Sequence, residues 1–93
     1  METVEKIRAS SSTNSQALAG SIAKVIGKGS QAEITAIGAG AVNQVAKSLA
    51  IARRMVSSSG QDLMFTVGFF TADLSDQGGK EEITGLCFRT CLR

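Results

Sequence analysis

Apolar residues recur at two different periods along this chain. Between Ser15 and Ile26, Leu18, Ile22, Val25 and Ile26 follow the spacing i, i+4, i+7, i+8, which marks one face of a helix. Gly27-Lys28-Gly29-Ser30 ends it. A second stripe, Val42, Val45, Leu49, Ala52 and Val56, predicts a longer helix stopped by Ser57–Gly60. At ~100° per residue, Asn43, Lys47 and Arg54 fall on its outer side. Ile51 falls on that polar side as well, ~180° from Val42. Four other stretches read as strands. Val4–Ala9 and Ala32–Ile37 are short, whereas Asp62–Leu74 is long and rich in Phe, Val and Thr. Ile83–Leu92 sets Leu86, Phe88 and Leu92 in alternation with Cys87, Arg89, Cys91 and Arg93. Ser10–Asn14 is a polar connector that supplies caps for the first helix, and Ser75–Glu82 reads as a hairpin loop.

The order is therefore β-α-β-α-β-β. Two helices and four strands in 93 residues predict a single α/β two-layer sandwich spanning 1–93, with both helices on one face of a four-stranded sheet. Composition agrees with an ordinary globular domain, at 43% hydrophobic and 19% charged residues. Val42, Val45, Leu49 and Leu18 are the expected core. Met64, Phe65, Phe69 and Phe70 are expected in a core or an interface, with Phe65 and Phe69 on one sheet face and Phe70 on the other. With four aromatics in the chain, a base-stacking platform is not expected.

What the chain lacks narrows its chemistry. There is no His, so the commonest general base and metal ligand is missing. Two cysteines alone do not make a zinc site. Cys87 and Cys91 on one strand stand ~13 Å apart, too far for a disulfide. The eight carboxylates are scattered. No enzyme activity and no cofactor are expected. No stretch reaches the ~20 apolar residues of a membrane span, and "METVEKIRASSS" lacks the apolar centre of a signal peptide. A cytoplasmic location is expected. The net charge of +2 is far below that of a dedicated nucleic-acid binder, though it leaves room for a local basic face.

One motif stands out. Ile34–Ile37 runs into Gly38-Ala39-Gly40, and the second helix follows at once. As a dinucleotide fingerprint it is incomplete: Asn43 occupies the third glycine position, and the motif follows the second strand. Asp62 does stand about twenty residues on, where that motif carries a ribose-binding acid. Two readings stay open on the residues alone. The glycines form a corner that needs positive φ, or free backbone N–H groups at the helix start bind phosphate.

The blocks "SSSTNSQALAGSIAK", "AEITAIGAGAVNQVAKSLAIARRMV" and "SSGQDLMFTVGFFTADL" resemble the stage V sporulation protein S family over roughly residues 4–93. That family is similar to the Alba family of small chromatin and RNA-binding proteins. The resemblance implies the same element order, a homodimer or higher homo-oligomer, largely sequence-independent binding of DNA or RNA, and a regulatory role in sporulation or development on the nucleoid or in the cytoplasm. It places the loop before the second helix at the phosphate contact; the candidate site read from the residues there is Ser11, Ser12, Gly38, Gly40, Asn43, Lys47 and Arg54, backbone N–H groups with hydroxyl, amide and cationic side chains beside them. The sequence also departs from Alba. Gly38 and Gly40 occupy the arginine positions of an Arg-Gly-Arg loop, and Ser10 and Ser11 fall near a lysine pair. The hairpin tip sets Asp73, Asp76, Glu81 and Glu82 around Lys80 where Alba is basic. A protein–protein adaptor or structural oligomer without nucleic-acid binding is the alternative.

Overall fold

A computed structural model describes residues 3–73 and 82–93. The elements are β1 (Val4–Ala9), α1 (Ser15–Gly27), β2 (Gln31–Ala36), α2 (Ala39–Ser57), β3 (Leu63–Asp73) and β4 (Glu82–Leu92). They form one four-stranded sheet in the order β1-β2-β4-β3. β1 and β2 run parallel, while β4 is antiparallel to both β2 and β3. The expected hairpin loop, apart from Glu82, lies outside the described residues.

One face of the sheet carries the core. Ala32, Ile34 and Ala36 of β2 alternate as buried residues, and Phe88 of β4 lies opposite Ile34. Leu18, Ile22, Val25 and Ile26 of α1 join Ala41, Val45, Leu49, Ala52 and Val56 of α2 over this face in a single cluster. Both helices therefore cover the same side. The buried arc of α2 includes Ala41 and Ser48, and Val42 is only half-buried. Ile51 does not stand on the polar side as expected: it is half-buried and packs against the core. The buried arc of α2 centres nearer Val45 and Ala52 than Val42, so a helical wheel centred on Val42 misplaces Ile51.

Two buried polar side chains are satisfied locally. The Ser48 hydroxyl donates to the Gln44 carbonyl oxygen at 2.7 Å. The Thr90 hydroxyl oxygen accepts from the Ala32 N–H at 2.9 Å and donates to the Ala32 carbonyl at 3.3 Å. This side chain bridges β4 to β2 within the core. Asn14 caps α1, accepting from the Ala17 N–H at 2.9 Å. The serines expected to cap that helix bond to each other and to Thr13 instead.

Leu49 is 3% exposed. Leu49→Ala is expected to cost about 2–5 kcal/mol in urea unfolding, as a truncation in a filled core. Thr90→Val, nearly isosteric, strands a buried N–H and carbonyl and is expected to cost about 1–3 kcal/mol in the same assay.

Candidate functional site

Parallel pairing puts the carboxyl ends of β1 and β2 side by side, Ala9 opposite Ala36. Each chain then turns at this edge, β1 into the Ser10–Asn14 connector and β2 into Gly38. Gly38 is the N-cap of α2 with φ 90° and ψ 156°, a conformation open to glycine alone. Gly40 lies in the first turn, where an added Cβ would stand 2.9 Å from the Ser11 Cβ. The missing side chain is what lets α2 dock against the β1–α1 connector. Gln44 holds the same seam, donating from Nε2 to the Thr13 carbonyl at 2.6 Å.

A cavity of about 670 Å³ opens here. Ser10, Ser11, Gly38 and Gly40 line its rim, and Arg8 and Thr35 rise from the sheet face opposite the helices. Phe70 and Ile37 close the apolar side. Phe70 is paired with Gly85 on β4, and its ring edge lies so close over Gly85 that a Cβ there would collide with it. The α2 N-terminus has no side-chain cap and no acidic residue in its first turn, so its free N–H groups and positive end are unneutralised. Arg8 makes no ion pair with any described residue.

The expected site residues divide. Ser11, Gly38 and Gly40 come together at the cavity, and Ser12 stands beside them, its hydroxyl 3.0 Å from that of Ser10. Asn43 and Lys47 are exposed on α2 beyond the cavity and continue the face of Gly40. Arg54 is ~21 Å along the helix from Gly40 and is not brought to the cavity. It occupies the last turn, where a cation complements the helix dipole. Asn43 does not cap α2, because the cap is Gly38. Asp62 pairs with Arg53 at 3.0 Å at the opposite end of α2 from the glycines. That separation removes the ribose-binding acid from the Gly-x-Gly loop, and with it the dinucleotide reading.

Arg8, Thr35 and Phe70 were not anticipated. The signal for Arg8 was its place one residue before the end of a parallel strand, on the side opposite Ala9. Ligand sites of α/β sheets lie beyond such strand ends. Farther along the uncovered face, Arg89 donates to Glu33 at 2.6 Å. The guanidinium hydrogen bond holds the Glu33 carboxyl below its ordinary range. Cys87, on the same face, is pushed up, first by burial and then by the Glu33 carboxylate. A thiol so held is a poor nucleophile at neutral pH. Cys87 and Cys91 are both free. Among the described residues, no helix is long and apolar enough to cross a membrane, and no three His, Cys, Asp or Glu side chains cluster as metal ligands.

The fold and the cavity together define a small two-layer α/β protein with a ligand-sized recess where its parallel strands end. Residues 5–93 match the family model described as Stage V sporulation protein S (SpoVS), and the chain belongs to that family. The family's name links it to sporulation.

The Glu33–Arg89 pair makes stability pH-dependent in a defined direction. Because the folded-state pKa of Glu33 is lowered, its contribution is present above the ordinary carboxyl pKa of about 4.3 and is lost as pH falls through the lower folded value. Urea unfolding between neutral pH and about pH 3 should show this loss, and Glu33→Gln should flatten that part of the profile.

Proposed function

We propose that this chain is a non-enzymatic nucleic-acid-binding protein of the cytoplasm or nucleoid that works as a homodimer or higher homo-oligomer and regulates sporulation or development. The observation that carries the reading is the uncapped, acid-free N-terminus of α2, opening beside Arg8 and the Ser10–Ser11 connector in one cavity. Backbone N–H groups, hydroxyls and one guanidinium are phosphate-binding chemistry, and none of them reads base edges. The resemblance to the Alba family supports the same position, since the loop before the second helix contacts phosphate there. Lys47 extends the surface along α2, with Arg54 at its far end.

Few cations are available, so affinity is modest. With Arg8, Lys47 and Arg54 each neutralising one phosphate, log K should fall against log salt with a slope of about −3 per protomer. The choice of variant follows from the packing. Gly40→Asp would add a charge but also press a Cβ onto Ser11. Ala39 is exposed at the first position of α2, where a carboxylate favours the helix. Ala39→Glu should therefore fold normally and bind duplex DNA or RNA about fivefold more weakly at low salt, because a like charge ~4 Å from a phosphate costs ~1 kcal/mol even in bulk water. Equal binding by the folded variant would reduce the glycines to a corner. If the wild-type protein binds neither DNA nor RNA at low salt, the reading fails.

Self-association rests on a different surface. On the helix side of β3, Phe65, Val67 and Phe69 are 45%, 51% and 83% exposed, and β3 is an edge strand. Such a strip on an unpaired edge favours an isologous contact between copies. It also favours the second reading, a protein–protein adaptor, whose contacts would be insensitive to salt where phosphate binding is not. Sedimentation at micromolar concentration is expected to give a dimer or larger, and Phe69→Lys to give a monomer. A wild-type monomer would overturn the paired assembly.

A further inference from the structure

We propose that the cavity at the carboxyl ends of β1 and β2 holds one unpaired nucleotide of a single strand, with its base against Phe70 and its phosphate against Arg8 and the Ser10–Ser11 rim. The inference rests on the nucleic-acid reading above and adds a preference for single strands over duplexes.

The cavity is two-sided in its chemistry. Phe70, Ile37 and the small side chains near them make one apolar wall, while Arg8, Ser11 and Thr35 make the other side polar and positive. Phe70 alone among the four phenylalanines lines it. Its ring edge lies over Gly85, where no side chain could fit beneath it. A phenyl ring lining the same recess as a guanidinium and hydroxyls suits a ligand with a flat aromatic part and an anionic part. A nucleotide has both, and a volume of about 670 Å³ lies within the range of small-molecule sites.

The recess also discriminates by access. It wraps from the end of α2 onto the uncovered face of the sheet, since Arg8, Thr35 and Phe70 all lie on the side away from the helices. A backbone resting on α2 reaches its rim. Only a base free of its own stack can enter. Stacking on a side chain tolerates any base, because every base has a π-face. The preference is therefore for unpaired strands and not for a sequence.

The test compares wild type, Phe70→Leu and Arg8→Gln by fluorescence anisotropy with a labelled eight-nucleotide single strand and a blunt duplex at the same low salt. Leucine keeps bulk over Gly85 and removes the flat face. Phe70→Leu is expected to weaken single-strand binding about tenfold, the loss of one stack, and to change duplex binding less than twofold. Arg8→Gln is expected to weaken both. Equal effects of Phe70→Leu on the two ligands, or none on either, overturn the inference. If Ala39→Glu weakens binding while Phe70→Leu is silent, the cavity inference falls and the nucleic-acid reading stands. If wild type binds neither ligand, both fall. A second measurement uses the wild-type protein alone. Backbone amide shifts at Phe70 and Ala72 should move on adding the single strand and stay in place with the duplex. Unmoved amides overturn the inference. A free 5′-mononucleotide is the third arm. It should bind far more weakly than the strand, and equal affinity would replace the strand by a free nucleotide as the occupant.

Discussion

The parallel register of β1 and β2 is the constraint on which the rest of the molecule depends. Val4 stands opposite Gln31 and Ala9 opposite Ala36, so both strands end at the same edge. Two chain reversals must then share that edge. Without side chains at Gly38 and Gly40 they fit; with a Cβ at Gly40 the first turn of α2 would press on Ser11. The Gln44–Thr13 hydrogen bond ties the two reversals together. The cavity is the space this meeting leaves, bounded by the sheet end on one side and the start of a helix on the other. Corner and recess have a single cause. A glycine kept for packing and a glycine kept for ligand approach thus predict the same residue, and only ligand binding tells them apart.

The helices and strands were legible because their cause is local. Leu18, Ile22, Val25 and Ile26 repeat at helical spacing whatever they pack against, Ile83–Leu92 alternates, and Asp62–Leu74 is rich in Phe, Val and Thr. The faces were legible too: Phe65 and Phe69 do lie on one side of β3 and Phe70 on the other. What stayed hidden depends on pairing. Phe70 becomes a cavity wall because the register of β3 sets it beside Gly85, and β4 in turn sets Gly85 beside Ile37. Neither register is written in a single strand's pattern. Arg8 is similar. Alternation placed it opposite Ala9, but only the parallel partner makes that position the rim of a recess. The placement of Ile51 failed for the complementary reason. A wheel gives an angle and no neighbour, and the apolar arc of α2 centres nearer Val45 and Ala52 than Val42.

Ion pairs engage three of the described cations. Arg89 is engaged with Glu33 and Arg53 with Asp62, while Lys28 lies 3.7 Å from Glu5. The Lys28–Glu5 and Arg53–Asp62 pairs are exposed and contribute little to stability, while Glu33 of the third pair is largely covered. Their larger effect is to quench cations that would otherwise draw phosphate. Among the described residues Lys6, Arg8, Lys24, Lys47, Arg54 and Arg93 make no ion pair, and of these Arg8 lies at the cavity and Lys47 and Arg54 on the outer face of α2. A protein that binds nucleic acid through so few cations cannot rely on counterion release for tight binding.

That shortage gives the apolar edge of β3 its meaning. On the proposed reading, one protomer with about three phosphate contacts would bind weakly, because each contact contributes separately to the salt-dependent term. Two protomers joined through Phe65, Val67 and Phe69 would present two α2 N-termini on one rigid body. The second contact then forms at the high effective concentration set by the first, and avidity can raise affinity by roughly 10²–10⁴ without any new side chain. A weakly charged surface and an exposed hydrophobic strand are each poor designs for an isolated monomer. Under the proposed function, the two together would make a protomer whose binding strength is built by assembly rather than by charge.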